Sequence, residues 1–329
     1  MREPPSARRR QLLRILGLLA SAGYAVEGRS QYPARPVLLV VPAGVGAVHD
    51  GFARLVQTAA QEALGQPLVI ENRVGTGGVM GSIDVAHAAP DGYTLLVGSL
   101  GANVIAPLVK PSYDLDILRD FVPVSKLVND TGIILGAPNL PVDDLAGLIA
   151  LARRAPQPLQ FGTPGVGTTG HLMAELLAQR TGIKLQQIPY RTTSQAYVDL
   201  MAGRLPLVFS FVAGVLGQVA AGRMKALAVT TARRSRVLPD VPTVQESGVP
   251  DFDIATWYGV LAPRKTPPEI VERVYRAFAS ALRTADVRAR LAELGAEAVG
   301  NTPAEFAVQI RADVERWSAV VRAAHIVVE

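Results

Sequence analysis

The 329 residues carry no cysteine, 49% hydrophobic residues, 19% charged residues and 5% aromatics. That balance excludes disorder as the main state and supports a sizeable apolar core, while the missing cysteines exclude disulfide scaffolds, thiolate metal centres, cysteine nucleophiles and lipidated cysteine anchors. The formal net charge of +5 invites a nucleic-acid reading, but five arginines (Arg2, Arg8, Arg9, Arg10, Arg14) against Glu3 put most of it in the first 25 residues, and the nearly neutral body has no basic face.

The N-terminus reads as a secretory signal peptide over residues 1–25. An arginine-rich start precedes the apolar run Ile15-Leu16-Gly17-Leu18-Leu19-Ala20, and small residues follow at Ala20-Ser21-Ala22 and Ala25. The run is too short for a membrane span, which needs about 20 residues. Arg9-Arg10-Gln11-Leu12-Leu13 also fits a twin-arginine signal, so both export routes stay open, beside a plain basic tail.

From Tyr32 onward, short β-branched runs alternate with amphipathic stretches, the pattern of an α/β fold with mostly parallel sheets flanked by helices. Strands are expected at Val37 to Val41, Pro67 to Asn72, Thr94 to Ser99, Phe121 to Val128, Ile133 to Ala137, Leu159 to Thr163, Gln186 to Tyr190, Leu205 to Phe211, Met224 to Thr231 and Ala255 to Ala262. Near Asp50 a helix begins whose Phe52, Leu55, Val56, Ala59, Ala60, Ala63 and Leu64 share one stripe, with Gly65 ending it. Asp143 and Asp144 read as cap and first-turn carboxylates of the stretch Leu145 to Arg153. The last 65 residues are helical. Thr266-Pro267-Pro268-Glu269 and Thr302-Pro303-Ala304-Glu305 both read as capping boxes with proline at the first helical position, and Ile270, Val274, Phe278, Leu282 and Phe306, Ile310, Trp317, Val320 as core stripes.

One device appears in both halves. Strand Val37 to Val41 runs into Pro42-Ala43-Gly44-Val45-Gly46-Ala47-Val48-His49 and a helix, and strand Leu159 to Thr163 runs into Pro164-Gly165-Val166-Gly167-Thr168-Thr169-Gly170-His171 and a helix. Glycine-rich turns at the carboxyl ends of strands expose backbone N–H groups beside helix N-termini, where anions bind. Further loops of this kind are Asn72 to Gly78, carrying Thr76, and Gly98 to Asn103, carrying Ser99, Gly101 and Asn103. Two such halves facing each other would clamp one anionic ligand. Helix N-termini supply about 0.3 to 1 kcal/mol each, up to roughly 2 when sheltered, whereas micromolar binding needs about 8. Hydrogen bonds to the charged group and exclusion of water supply the difference. Neither Gly-Val-Gly loop contains arginine, so amides and hydroxyls are expected to hold the anion.

Enzyme readings find little support in the same residues. Gly44-Val45-Gly46 with Glu71 imitates a dinucleotide fingerprint, yet His49 occupies the third glycine position. A G-x-S-x-G elbow and a Walker lysine are both missing. The four histidines, at 49, 87, 171 and 325, are too scattered for a metal motif, and His49 and His171, each at a helix start, fit a supporting role better than proton transfer. No cofactor is expected.

These residues resemble a known family. Tyr32-Pro33 with Arg35-Pro36, Ile70-Glu71-Asn72-Arg73 with Gly75 to Gly78, Pro90-Asp91-Gly92-Tyr93-Thr94-Leu95, Gly165 to His171, Pro189-Tyr190, Ala226-Leu227-Ala228-Val229-Thr230, Leu238-Pro239-Asp240-Val241-Pro242-Thr243 and Trp257-Tyr258-Gly259 are similar to the substrate-binding proteins of tripartite tricarboxylate transporters, the periplasmic Bug-type receptors. The similarity covers Tyr32 to Glu329. It implies a two-lobed periplasmic binding protein that closes on a small di- or tricarboxylate or aromatic acid and passes it to membrane permease subunits, acting as a monomer without nucleic acid. It also implies ligand contacts from Ala43, Gly44, Val45, Gly46 and Ala47, from Ser99, Gly101 and Asn103, and from Thr163, Gly165, Gly167, Thr168, Thr169 and His171, with Thr76, Tyr190 and Ser210 completing the site. Where the family often has Asp-Asn after the strand ending at Phe209, this chain has Ser210-Phe211, which favours an uncharged or aromatic ligand body over an amino acid. The chain should cross between lobes near Lys126 to Thr131 and Asp251 to Thr256, giving one lobe of residues 31–128 plus 254–329 and a second of 129–253. A periplasmic sensor feeding a membrane signalling protein remains an alternative, as does, more remotely, a dinucleotide-binding enzyme.

Overall fold

The computed structural model describes residues 32–323 and Ile326; the expected export signal, residues 1–25, lies outside the described residues. The chain opens with β1 (Val37–Val41), α1 (Val48–Leu64), β2 (Leu68–Asn72), α2 (Val79–Ala86) and β3 (Thr94–Ser99). A π-helical turn (Gly101–Ile105), α3 (Ala106–Val109) and α4 (Ile117–Asp120) lead into the long strand β4 (Phe121–Gly136). Next come α5 (Leu145–Arg154), β5 (Leu159–Thr163), α6 (Thr169–Thr181), β6 (Leu185–Pro189), α7 (Thr193–Met201), β7 (Leu207–Phe211), α8 (Val212–Ala220) and β8 (Lys225–Val229). The chain returns through β9 (Ala255–Pro263) and ends with α9 (Pro268–Ala281), α10 (Ala285–Glu293), β10 (Ala296–Ala298) and α11 (Pro303–Ala323).

The strands follow the order β2-β1-β3-β9-β4-β7-β5-β6, with β10 and β8 also paired to β4. Strand β4 serves two sheets. Its residues Phe121 to Thr131 pair with β9, and Gly132 to Gly136 pair with β7 and β8. Each sheet is parallel at its outer strands, β2-β1-β3 in one and β6-β5-β7 in the other, while the antiparallel pairs involve β4 or β9. The returning chain passes beside the same point, where Ile254 N–H donates to the Thr230 carbonyl and Thr230 N–H to the Gly132 carbonyl, both at 2.9 Å.

The two strands expected at Phe121 to Val128 and Ile133 to Ala137 are therefore one strand of 16 residues. Asn129-Asp130-Thr131-Gly132 has the composition of a turn, yet Asn129 lies opposite Trp257, Asp130 opposite Thr256 and Gly132 opposite Phe211. Pairing on both sides overrides local propensity there. Strand β10, three residues paired to Val128, Asn129 and Asp130, is too short to leave a periodic signal.

Alternation along β1 divides the first sheet's packing. Val37, Leu39 and Val41 face α1 and α9 with Phe52, Val56 and Phe278, whereas Val40 faces the core that contains Phe306, Ile310 and Trp317 of α11 and continues into the second sheet. The α1 stripe buries Phe52, Ala53, Val56, Ala60 and Leu64, and Gly65 ends the helix in a left-handed conformation. On α11 the stripe closes with Val321 instead of Val320, which is only half-buried.

Thr302 and Glu305 form the expected capping box, Glu305 N–H donating to Thr302 Oγ1 at 3.3 Å and Thr302 N–H to Glu305 Oε2 at 2.9 Å. The other box is not formed. Pro267 is the N-cap of α9, and Thr266 turns its hydroxyl back to the Pro263 carbonyl at 2.8 Å, because two consecutive prolines move the helix start one residue on. Asp144 caps α5 through Gly147 N–H at 2.7 Å; Asp143 instead pairs with Lys225 Nζ at 2.7 Å.

Candidate functional site

The two Gly-Val-Gly loops share one backbone geometry. Gly46 and Gly167 both have φ of 80°, a left-handed conformation that favours glycine. Each donates its N–H to the side chain four residues on: Gly46 to Asp50 Oδ2 at 2.9 Å, Gly167 to His171 Nδ1 at 3.2 Å. The structural counterpart of His171 is thus Asp50, not His49. The shift arises because the second loop is one residue shorter between its proline and its final glycine.

Asp50 anchors the first loop. Arg54 Nε donates to it at 2.9 Å and Asn72 Nδ2 at 3.0 Å, and Asn72 also reaches the Ala43 carbonyl at 2.9 Å. Burial would raise the Asp50 carboxyl, but these bonds and that from Gly46 outweigh it and lower its pKa to about 2. Three loops converge here, since a Cβ placed on Gly78 would stand 3.0 Å from the Pro42 carbonyl oxygen and 3.2 Å from Ala102 Cβ. Thr76 is exposed at the turn beside it with φ of 46°, and Val45 is 77% exposed, so it adds no buried contact. Glu71, the acid a dinucleotide site would need, is half-exposed and paired with Arg73 at 2.7 Å.

Ser99 and Asn103 lie buried at the end of β3. Asn103 is spent inside the protein, accepting from Ser99 N–H at 2.9 Å and donating to Ser82 Oγ at 3.0 Å, which ties the turn to α2. Ser99 Oγ accepts from Ala102 N–H at 3.3 Å, and its own proton has no acceptor among the described residues.

Opposite them stands the second loop. A Cβ on Gly101 would lie 3.1 Å from Thr169 Oγ1, and one on Gly167 would lie 3.0 Å from Val109 Cβ, so the second loop meets the Gly101 turn and the end of α3. Several hydroxyls expected to donate to a ligand are used locally. Thr168 caps α6 by accepting from His171 N–H at 3.3 Å and donates to the Gly165 carbonyl at 3.0 Å. Thr163 Oγ1 bonds the Gly165 backbone and accepts from Gln187 Nε2 at 2.5 Å, and Tyr190 donates to Asp199 at 2.8 Å. His171 is buried, with Nε2 3.4 Å from Glu175 Oε1. The N–H groups of Thr169 and Gly170, at the start of α6, have no acceptor among the described residues, as the first amides of a helix lack intrahelical partners.

The residues that sequence reasoning missed lie deeper, at the passage of β4. Asp130 is fully buried, with Oδ1 accepting from Ala213 N–H at 3.2 Å at the start of α8 and Oδ2 without a partner among the described residues. Burial raises its pKa to about 7. Tyr258 and Tyr197 sense its charge; burial first, then Asp130, pushes the Tyr258 hydroxyl well up, and burial drives Tyr197 to about 12 despite its short bond to Ser210. His49 stands edge-on to Tyr258 with centroids 4.6 Å apart, its Nε2 shielded and unpartnered among the described residues, and desolvation lowers its pKa to about 4. An acid inside an apolar strand is the signal that would have found Asp130, hidden because residues 129 to 132 fall outside the two expected strands. Among the described residues no three His, Asp or Glu side chains are placed to hold a metal ion, and no helix is long and apolar enough to cross a membrane.

Comparison with known proteins shows the chain's family. The family described as tripartite tricarboxylate transporter family receptor matches residues 52–326. Protein BugT of Bordetella pertussis is 37% identical over 316 residues, covering 95% of this chain and 97% of its own length. Among solved structures, MatC from Rhodopseudomonas palustris with bound malate superposes with a TM-score of 0.82 at 33% identity, covering 88% of this chain and all of that one. An R. palustris protein with adipate gives 0.85 at 35%, covering 90% and 99%. The periplasmic binding protein BugD gives 0.82 at 30%, covering 90% and 99%. With its two-lobed α/β fold and a match over most of its length, the chain belongs to the tripartite tricarboxylate transporter receptor family of periplasmic solute-binding proteins.

Proposed function

We propose that this receptor captures a small dicarboxylate between a lobe of residues 31–128 plus 254–329 and a lobe of residues 129–253, and hands it to the permease subunits of a tripartite tricarboxylate-type transporter. The observation that carries the reading is the approach of the Gly101 turn to Thr169, which brings the free amides at the start of α6 beside the turn that follows Ser99. Amides and hydroxyls of both lobes then hold one carboxylate, and closure excludes the water that competes for them. The split of β4 between two sheets at Thr131 and Gly132 supports a lobe crossing near that limit, three residues further on. Malate and adipate, bound by relatives at 33% and 35% identity, point to four- to six-carbon diacids. Export by the arginine-rich N-terminal signal would deliver the protein to the periplasm.

A thermal-shift screen of the purified protein against mono-, di- and tricarboxylates, amino acids, aromatic acids and NAD(P) tests this, because a ligand of the native state raises the melting temperature. Stabilisation by dicarboxylates is the expected result. Stabilisation by NAD(P) alone would refute the reading.

A further inference from the structure

We propose that Asp130 sets the specificity of this cleft: its Oδ2 accepts a hydrogen bond from an ammonium or hydroxyl group that the ligand carries beside its carboxylate. The inference rests on the cleft reading and adds the substituent to it. Asp130 belongs to β4 at the point where that strand leaves one sheet for the other, opposite Thr256 on β9 and Ala296 on β10. Its carboxyl has no exposure to solvent, one oxygen is held by Ala213 N–H, and the other has no partner among the described residues.

The neighbourhood has the polarity of a recognition site. Ala213 and Tyr197 place Asp130 beside the junction of the two lobes, since a Cβ on Gly214 would stand 3.3 Å from Val48 Cγ2 of α1 and 3.6 Å from the Tyr197 hydroxyl. Among the described residues no cation pairs with Asp130. Charged and titratable groups nearby are engaged elsewhere: Lys126 with Gln309 at 2.6 Å, Asp313 with the Trp257 indole at 2.9 Å, Glu297 with Asn129 at 3.3 Å. Tyr197 is bonded to Ser210, and His49 packs edge-on against Tyr258.

A buried carboxyl with half its accepting capacity unused is costly unless something fills it. No side chain among the described residues does so. A ligand lying between the amide-rich start of α6 and this oxygen meets donors for its carboxylate at one end and an acceptor at the other. An unsubstituted diacid would leave Oδ2 unsatisfied, whereas an ammonium or hydroxyl substituent completes it. Raising of the Asp130 pKa by burial fits a group held in waiting for such a donor.

Calorimetry with two matched series tests the proposal: succinate, malate and aspartate, and adipate with its 2-hydroxy and 2-amino forms. In the wild type a substituted acid should bind about 10- to 100-fold more tightly than its unsubstituted parent. Asp130→Asn, whose oxygen stays with Ala213 N–H and whose amide then donates to a hydroxyl oxygen but repels an ammonium, should abolish a preference for the amino acid and largely keep one for the hydroxy acid; Asp130→Ala should abolish both. Should the variants fail to fold, the carbon resonance of the wild-type Asp130 carboxyl decides, its titration midpoint moving with the preferred substituted acid and not with the parent. Diacids that bind without regard to the substituent, or a preference untouched by both variants, would overturn the proposal and leave the receptor reading standing. Failure of every acid to bind would sink both.

Discussion

Single residues divide between those that hold loops and those left to meet a ligand. Ser99 is of the second kind, its hydroxyl accepting from Ala102 N–H with its proton still to give. Ser99→Ala should weaken carboxylate binding by about 1 to 2 kcal/mol, the loss of a donor to a charged group, without changing the melting temperature of the free protein. Asp130 costs the free protein stability. Its folded pKa of about 7 exceeds the unfolded value of 3.8, so the native state binds the extra proton, and the stability it contributes at low pH is lost as pH rises from about 4 to 7. Asp130→Asn is therefore expected to raise the melting temperature of the ligand-free protein at pH 8 and to be nearly neutral at pH 4. His49 has the opposite slope, its depressed pKa of about 4 removing stability as pH falls from 6.5. A difference between Asp130→Asn and wild type isolates the one from the other, and equal melting temperatures at pH 8 would show that Asp130 carries no buried charge.

At the scale of elements, one strand-loop-helix device is built twice with different locks. Asp50 locks the start of α1 and His171 that of α6, each through a glycine N–H four residues earlier, but only α6 has a side-chain N-cap, Thr168. Because the Thr168 hydroxyl is spent on the cap and on the Gly165 carbonyl, its removal acts first on stability. Thr168→Ala should cost about 1 kcal/mol in urea unfolding, with Thr168→Ser restoring it. A variant that bound ligand poorly with unchanged stability would instead mark Thr168 as a direct contact.

On the proposed function the two lobes close on the ligand, and a ligand shifts that balance only by preferring the closed form. Gly101 sits where its turn meets α6, with Thr169 Oγ1 3.1 Å from the place a Cβ would take, while its helical backbone tolerates other residues. Gly101→Val should fold normally yet resist closing. Small-angle scattering would then show compaction on adding ligand for the wild type and little or none for the variant. Equal compaction of both would mean that the lobes close without this contact.

The sequence by itself determined the alternation of strands and helices, the end of α1 at Gly65, the capping box at Thr302 and the paired glycine loops, because each is set by contacts between residues a few positions apart. It also carried the family, through motifs spread along the chain. Only the tertiary structure decided that Asn129 to Gly132 is strand, that Thr163, Thr168, Tyr190 and Asn103 turn their polar groups inward, and that Asp130 lies buried with Oδ2 unpartnered among the described residues. Several of those outcomes depend on distant partners, such as Asp199 for Tyr190 and Thr256 for Asp130. Local propensity holds no record of such partners, and pairing and burial override it wherever the two lobes meet.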